Sequence, residues 1–206
     1  HGTDLLRFSF DPSGEVGEPA RILAVGRLVP KKGFEHLLYA CRRLLARRRI
    51  RCRIVGTGPL EAKLRNLAQK LDLMRAIEFT GGVPPEQMPA VYADADVLAV
   101  PSVIGPGGDR DGLPNVVLEA MARGLPVVAS RLSGIPDAVS NEATGLLVRP
   151  GNNAALAEAL DRMLAEEDLR ERCVRNGREL VEEQFDYRKN AREVYRMIQE
   201  AAGETS

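Results

Sequence analysis

The chain of 206 residues has two histidines and three cysteines, which leaves it few ways to hold a transition metal or to cross-link itself. Cys41, Cys52 and Cys173 are odd in number, widely spaced and form no CxxC. A zinc site and a disulfide framework are therefore disfavoured, and a reducing, cytoplasmic setting is expected. Neither sign of charge is in excess, because 29 Lys and Arg offset 29 Asp and Glu. A nucleic-acid binder carries a basic surplus to neutralise phosphates, so no nucleic-acid partner is expected. No apolar run approaches the ~20 residues that cross a bilayer, and no signal peptide is recognisable. His1 stands where an initiator methionine would, which marks the sequence as a piece of something longer or a trimmed chain. The one basic run, Arg47-Arg48-Arg49 with Arg51 and Arg53, reads as a solvated helix end followed by a strand edge. That reading is preferred to a membrane or polyanion patch.

Two kinds of element alternate along the chain. Short apolar runs, rich in β-formers, occupy Ile22–Val25, Arg53–Val55, Ile77–Phe79, Val97–Val100, Val127–Ser130 and Gly145–Val148. Between them lie stretches with helical periodicity: Phe34–Arg48, Leu60–Leu71, Pro85–Ala93, Pro114–Arg123 and Asn153–Glu166. Continuous apolar strands separated by amphipathic helices predict a parallel sheet covered on both faces. The fold class expected is therefore α/β, a doubly wound six-stranded parallel sheet of Rossmann type with C-terminal helices. The strand signal ends near Pro150, and Asp168–Glu183 and Asp186–Ala202 read as helices. Phe185, Tyr187, Val194, Tyr195 and Ile198 give the last of these an apolar face, which either caps the sheet domain or docks on a missing partner domain. The predicted division is a linker over 1–20, a Rossmann-like domain over 21–183, and a tail helix over 184–206. The linker reading rests on Asp11-Pro12-Ser13-Gly14 and Gly17-Glu18-Pro19.

In such a sheet, ligands bind beyond the carboxyl ends of the strands. The first strand is followed by Gly26-Arg27-Leu28-Val29-Pro30-Lys31-Lys32-Gly33, with Arg27 and Lys32 flanking one crevice. Cations beside a helix N-terminus suit a diphosphate, because amides, helix dipole and charge act together; a plain surface turn is an equal alternative. The second strand is followed by Gly56-Thr57-Gly58-Pro59. Glu61 stands where a dinucleotide fingerprint has its third glycine, and Pro59 removes an amide, so an NAD site is disfavoured. These glycines instead let backbone approach a flat ligand or the neighbouring loop; a purely structural strand-to-helix turn is an equal alternative. The third strand leads into Gly81-Gly82-Val83-Pro84-Pro85, read first as a simple turn and second as backbone contact to a base.

The most informative stretch is Pro101 to Arg123. Gly105 to Gly112 is a loop at the ligand end, and Pro114 favours a helix start. The helix that follows is apolar almost all round, which predicts burial. Glu119 is its exception, one turn from the start. A buried carboxylate is costly unless it is hydrogen-bonded. A pair of ligand hydroxyls such as ribose is preferred over a structural salt bridge to arginine as its partner. Asp94 and Asp96 read as a helix-end turn, and Asp137 as part of a short helix start.

Taken together, AVGRLVPKKGFEHLL, IVGTGP, FTGGV, DGLPNVVLEAMARGLPVVAS and GIPDAV…TGLLV resemble, in order, the glycosyltransferase family 4 group with its two-lobed GT-B fold. The likeness runs from HGTDLLRF to FDYRKNAREVYRMI. It implies a donor-binding half of a retaining enzyme that moves a sugar from a nucleotide-diphosphate sugar, UDP- or GDP-linked, to a hydroxyl, with no cofactor and no metal required. By that resemblance Arg27 and Lys32 hold the diphosphate and stabilise the leaving group. Gly112, Leu113, Pro114, Asn115 and Val116 form the loop and helix start that meet phosphate and sugar, and Val83 meets the base. Gly26 and Gly56 group with these donor-binding positions. Glu119 takes the second place of the family's E-x7-E motif, on the ribose. Asp111 takes the first place, on the sugar, where the family carries glutamate; the charge is kept on a side chain one methylene shorter. Asp109-Arg110-Asp111 is also similar to the DxD that holds a divalent metal in another glycosyltransferase class, but Arg27, Lys32 and helix amides already supply positive charge here. The resemblance further implies an acceptor lobe N-terminal to this chain, little or no transfer by this half alone, and a location in the cytoplasm at the inner face of the membrane, with peripheral membrane contact left to the missing half. A phosphorylase of the same fold class is disfavoured because no pyridoxal-phosphate lysine motif is found. A non-catalytic nucleotide-sugar sensor is the remaining alternative.

Overall fold

In the computed structural model, which describes residues 2–12 and 14–203, six strands form one all-parallel sheet. His1, Ser13 and the last three positions of the tail region lie outside the described residues. The strands are β1 Ala20–Val25, β2 Ile50–Val55, β3 Ile77–Gly81, β4 Val97–Val100, β5 Val127–Ser130 and β6 Leu146–Val148. Their spatial order is β3-β2-β1-β4-β5-β6. The chain therefore winds outward in one direction from β1 and in the other from β4, and the reversal between these two strands opens a crevice at their carboxyl ends.

The helices are α1 Phe34–Leu44, α2 Glu61–Lys70, α3 Met88–Ala93, α4 Asn115–Arg123, α5 Ile135–Ala138, α6 Asn153–Ala165, α7 Glu167–Gln184 and α8 Tyr187–Gly203. Two apolar layers cover the sheet. On one face Leu37, Leu38, Cys41 and Leu44 of α1 pack with Leu64 of α2 and Leu156, Leu160 and Met163 of α6. On the other, Tyr92 of α3 packs with Val117, Leu118 and Met121 of α4, and Val181 of α7 joins them. No helix among the described residues is long and apolar enough to cross a membrane.

β2 begins three residues earlier than its apolar run. Arg51 and Arg53 interrupt that run, yet they lie on the strand while Cys52 and Ile54 point into the core. Both arginines are paired, Arg51 with Glu78 at 3.2 Å and Arg53 with Asp94 at 2.9 Å. Arg47 and Arg48 reach Asp161 on α6. α1 stops at Leu44, where the backbone tightens into turns such as Arg47 N–H to Leu44 O, so the basic run is a paired turn and strand edge.

Asp96 has a larger structural part than a helix-end turn. It is 1 % exposed. One oxygen accepts the Arg21 backbone N–H at 2.6 Å, and the other accepts the Arg21 guanidinium at 2.6 Å, which pins the start of β4 to β1.

The segment read as a linker is packed on the domain. Phe8 is 3 % exposed and meets the Tyr92 ring edge-on at 5.7 Å. Thr3 bridges to Asp186, and the Arg123 guanidinium holds Asp11. The Pro, Gly and Asp signals of 11–19 mark the turns but not the buried aromatic before them. Phe8→Ala is expected to lower stability by about 3 kcal/mol, read as a shift in urea midpoint at unchanged slope; a change below the error of that measurement would mean the segment is not part of the fold.

Candidate donor-binding crevice

The loops that follow β1 and β4 form the two walls of the switch-point crevice, and they touch backbone to backbone. Gly33 sits at φ 65°, and a Cβ there would lie 1.9 Å from Pro101 O. Val103 N–H donates to Lys31 O at 2.9 Å across the same seam. Gly26 makes room for the Lys32 stem, since a Cβ on it would fall 3.3 Å from the lysine's Cδ and Cε. Gly56 and Gly58 are explained within the protein. A Cβ on Gly56 would lie 2.0 Å from Gly26 O, and one on Gly58 would lie 2.5 Å from Leu28 O. Of the two readings of these glycines, backbone approach is to the neighbouring loop.

The charges gather on these walls. Lys32 Nζ lies 2.8 Å from Asp111 Oδ2, and Lys31 Nζ lies 3.4 Å from Asp111 Oδ1 and 3.0 Å from Asp109. Asp111 Oδ2 is buried and no donor points at it with hydrogen-bond geometry, so its tie to Lys32 is an ion pair out of line. The Asp109 carboxylate holds the Lys31 ammonium above its usual range. Both carboxylates of the Asp-Arg-Asp stretch are thus paired with lysines. Arg27 is exposed on the same loop and makes no ion pair among the described residues. In the sequence Lys31 has no role beyond its place in the loop, and Asp109 is weighed only as half of a DxD; the structure makes them partners of each other at the crevice.

α4 supplies the amides. It starts at Asn115 behind Pro114 and has no side-chain cap. Val117 N–H bonds to Pro114 O, while the Asn115 and Val116 N–H groups meet no acceptor among the described residues. Those two amides open a helix of nine residues with aligned peptide dipoles, which favours an anion at this end. Pro114 has no N–H of its own and is buried. Gly112 faces open space, whereas Leu113 is buried and its N–H side is closed by the loop after β5, since a Cβ on Gly134 would lie 3.0 Å from Leu113 N. Asp137 sits in the first turn of the short α5, as expected. Ser102, just beyond β4, is 1 % exposed, and its hydroxyl has no partner among the described residues. Val83 beyond β3 is half-buried against the second face, and its backbone polar groups carry no partner among the described residues.

Glu119 is half-buried on α4, between Leu118 and Ala120, which are fully buried. Its partner is not an arginine: the Tyr92 hydroxyl of α3 donates to Glu119 Oε2 at 2.6 Å. Burial, then the neighbouring carboxylate, pushes the Tyr92 phenol well above its ordinary range, so it stays a donor. A cavity of about 770 Å3 opens elsewhere, at the amino-terminal end of the strands. Its arginines Arg49, Arg51 and Arg75 share the wall with Asp72 and Glu78, and none of its lining residues begins a helix. Topology, lysines and uncapped amides therefore single out the crevice instead.

Comparison with known proteins identifies the family. The family model described as glycosyl transferases group 1 matches residues 7–180. WcaL of Escherichia coli, named for colanic acid biosynthesis, is 38 % identical over 96 % of this chain and 49 % of its own. A GDP-mannose-dependent phosphatidylinositol monomannoside mannosyltransferase of Mycobacterium tuberculosis is 36 % identical over 89 % of this chain and 50 % of its own. The chain thus spans about half the length of the curated relatives it matches. Among solved structures, HepE of Anabaena in complex with UDP superposes with a TM-score of 0.83 over 97 % of this chain and 56 % of its own, at 20 % identity. Sucrose-phosphate synthase of Thermosynechococcus elongatus gives 0.79 over 97 % and 52 %, at 32 % identity.

Proposed function

The chain belongs to the group 1 glycosyltransferases, and on that premise we propose that it is the nucleotide-sugar-binding half of a retaining enzyme whose acceptor lobe lies N-terminal to it. The observation that carries this reading is the pairing of Lys31 and Lys32 with Asp111, four residues before the uncapped start of α4, across the β1/β4 switch point. A diphosphate satisfies both walls at once: the ammonium groups on one side and the Asn115 and Val116 N–H groups on the other. Arg27 is on the same loop and is free to turn onto it. Glu119 takes the ribose, Val83 offers its backbone to the base, and Asp111 takes the sugar. UDP and GDP are the nucleotides proposed, in line with the relatives and neighbours named for them.

The proposed chemistry is electrostatic. An acceptor hydroxyl forms its bond to the anomeric carbon on the face the leaving group occupies. The bond from that carbon to the diphosphate oxygen breaks, and the hydroxyl proton passes to a donor phosphate oxygen. Negative charge grows on the departing diphosphate, where Lys32, Arg27 and the α4 amides meet it. No protein nucleophile and no metal are required in this scheme. The acceptor lobe docks on α8, whose Val194, Tyr195 and Ile198 are more than half exposed, and this half alone binds donor without transferring it. The proposed setting is the cytoplasm at the inner face of the membrane.

Calorimetric titration of the chain with UDP, GDP and ADP tests the reading. Binding of at least one nucleoside diphosphate supports it, and no binding of any of them at millimolar concentration by a folded sample overturns it. Asp111 adds a second expectation. It covers Lys32 when no ligand is bound, so Asp111→Asn is expected to tighten bare nucleoside diphosphate by about threefold, the scale of a partly exposed ion pair. Calorimetry on the variant checks this, and weaker binding would mean that Asp111 helps to hold the diphosphate.

A further inference from the structure

We propose that Tyr92 is the positioning residue for Glu119, setting which carboxylate oxygen is presented to the ribose; this rests on the ribose reading of Glu119 given above. A phenylalanine would fill the same space in the second core layer. A buried hydroxyl is costly unless it is bonded, and the Tyr92 hydroxyl donates to Glu119 Oε2 at 2.6 Å, its one partner among the described residues. Tyr92 is 1 % exposed and cannot follow a moving carboxylate into solvent. Its ring is held in turn by Phe8, edge-on at an interplanar angle of 81°. Phe8 is itself 3 % exposed and belongs to the segment entering from the amino-terminal side. No cation pairs with Glu119 among the described residues, so nothing else there fixes the carboxylate. Tying Oε2 to the α3 side selects one rotamer and leaves Oε1, with the second lone pair of Oε2, for the two ribose hydroxyls. A loose glutamate would have to be ordered by each ligand, and that ordering would weaken binding.

The test compares UDP with 2′-deoxy-UDP, or the GDP pair if GDP is the better ligand, by calorimetry on the 206-residue chain. The wild type is expected to favour the ribose form by roughly ten- to a hundredfold, the scale of hydrogen bonds to a charged group. Glu119→Gln is expected to lose most of that ratio. Tyr92→Phe is expected to lower it by about tenfold, and the double variant to be no worse than Glu119→Gln alone, because the two act through one contact. A merely structural tyrosine would lower the melting temperature of Tyr92→Phe and leave the ratio intact. An intact ratio in Tyr92→Phe, beside a lost one in Glu119→Gln, overturns the positioning role while the ribose reading stands. An intact ratio in Glu119→Gln, or none in the wild type, removes the ribose reading and the positioning role with it. If Tyr92→Phe fails to fold, Phe8→Leu keeps the hydroxyl and loosens only the ring. It is then expected to lower the ratio by about twofold, and an unchanged ratio there overturns the proposal.

Discussion

Gly33→Ala is expected to destabilise the chain by about 4 kcal/mol or more and to remove nucleotide binding with it. The backbone there sits at φ 65°, where a side chain costs roughly 1–2 kcal/mol. The added Cβ would lie 1.9 Å from Pro101 O, a backbone atom with no flexible end to move aside. Relief would require the loops after β1 and β4 to part, and these are the two walls of the crevice. The Val103 N–H to Lys31 O bond would break, and Lys32 would part from Asp111. Set against a typical total stability of about 5–15 kcal/mol, the change is large. It would appear as a collapse of the urea midpoint. Gly112→Ala is the matched control on the same crevice, because a Cβ at Gly112 meets nothing within 4 Å; it is expected to leave the midpoint within about 0.5 kcal/mol of wild type. Equal midpoints for the two variants would contradict the backbone-to-backbone seam.

Lys32→Ala is expected to weaken nucleoside diphosphate by about ten- to a hundredfold, since a charge-assisted phosphate contact contributes roughly 1.5–3 kcal/mol. Stability should change little, because Asp111 keeps Lys31 at 3.4 Å when Lys32 is gone and the Lys32 stem only rests on Gly26. Calorimetry with UDP or GDP reads the effect, together with a shallower dependence on salt than the wild type shows. Unchanged affinity in a folded Lys32→Ala would place the diphosphate elsewhere. Lys31 is expected to soften the loss, because Asp109 and Asp111 hold it beside the same site.

The sheet was legible because its strands are buried on both faces and read as continuous apolar runs. β4 and β5 start and end where the sequence places them. β2 did not read fully, because Arg51 and Arg53 point outward from it and only its last residues look like a buried strand. Phe8 escaped for a similar reason: one aromatic among turn-forming residues carries no periodicity, and only the fold reveals that it packs on Tyr92. At the site, the carboxylate on an apolar helix drew notice to Glu119, and the ordered motifs supplied neighbours for it. Its hydrogen-bond partner was out of reach of sequence reasoning. Tyr92 is 27 residues away, on a different helix, and nothing local distinguishes a tyrosine that bonds a carboxylate from one that fills a core. The lysine pairings with Asp109 and Asp111 are likewise tertiary, set by two loops that meet only once β1 and β4 lie side by side.

The account rests on where a diphosphate sits. A crystal structure of the chain soaked with UDP or GDP measures that directly. The predicted result has the diphosphate between Lys32 and the Asn115 and Val116 N–H groups, with Asp111 released from Lys32 and the ribose hydroxyls on Glu119. A nucleotide bound away from the β1/β4 crevice, with the Lys32–Asp111 ion pair still closed, would contradict it.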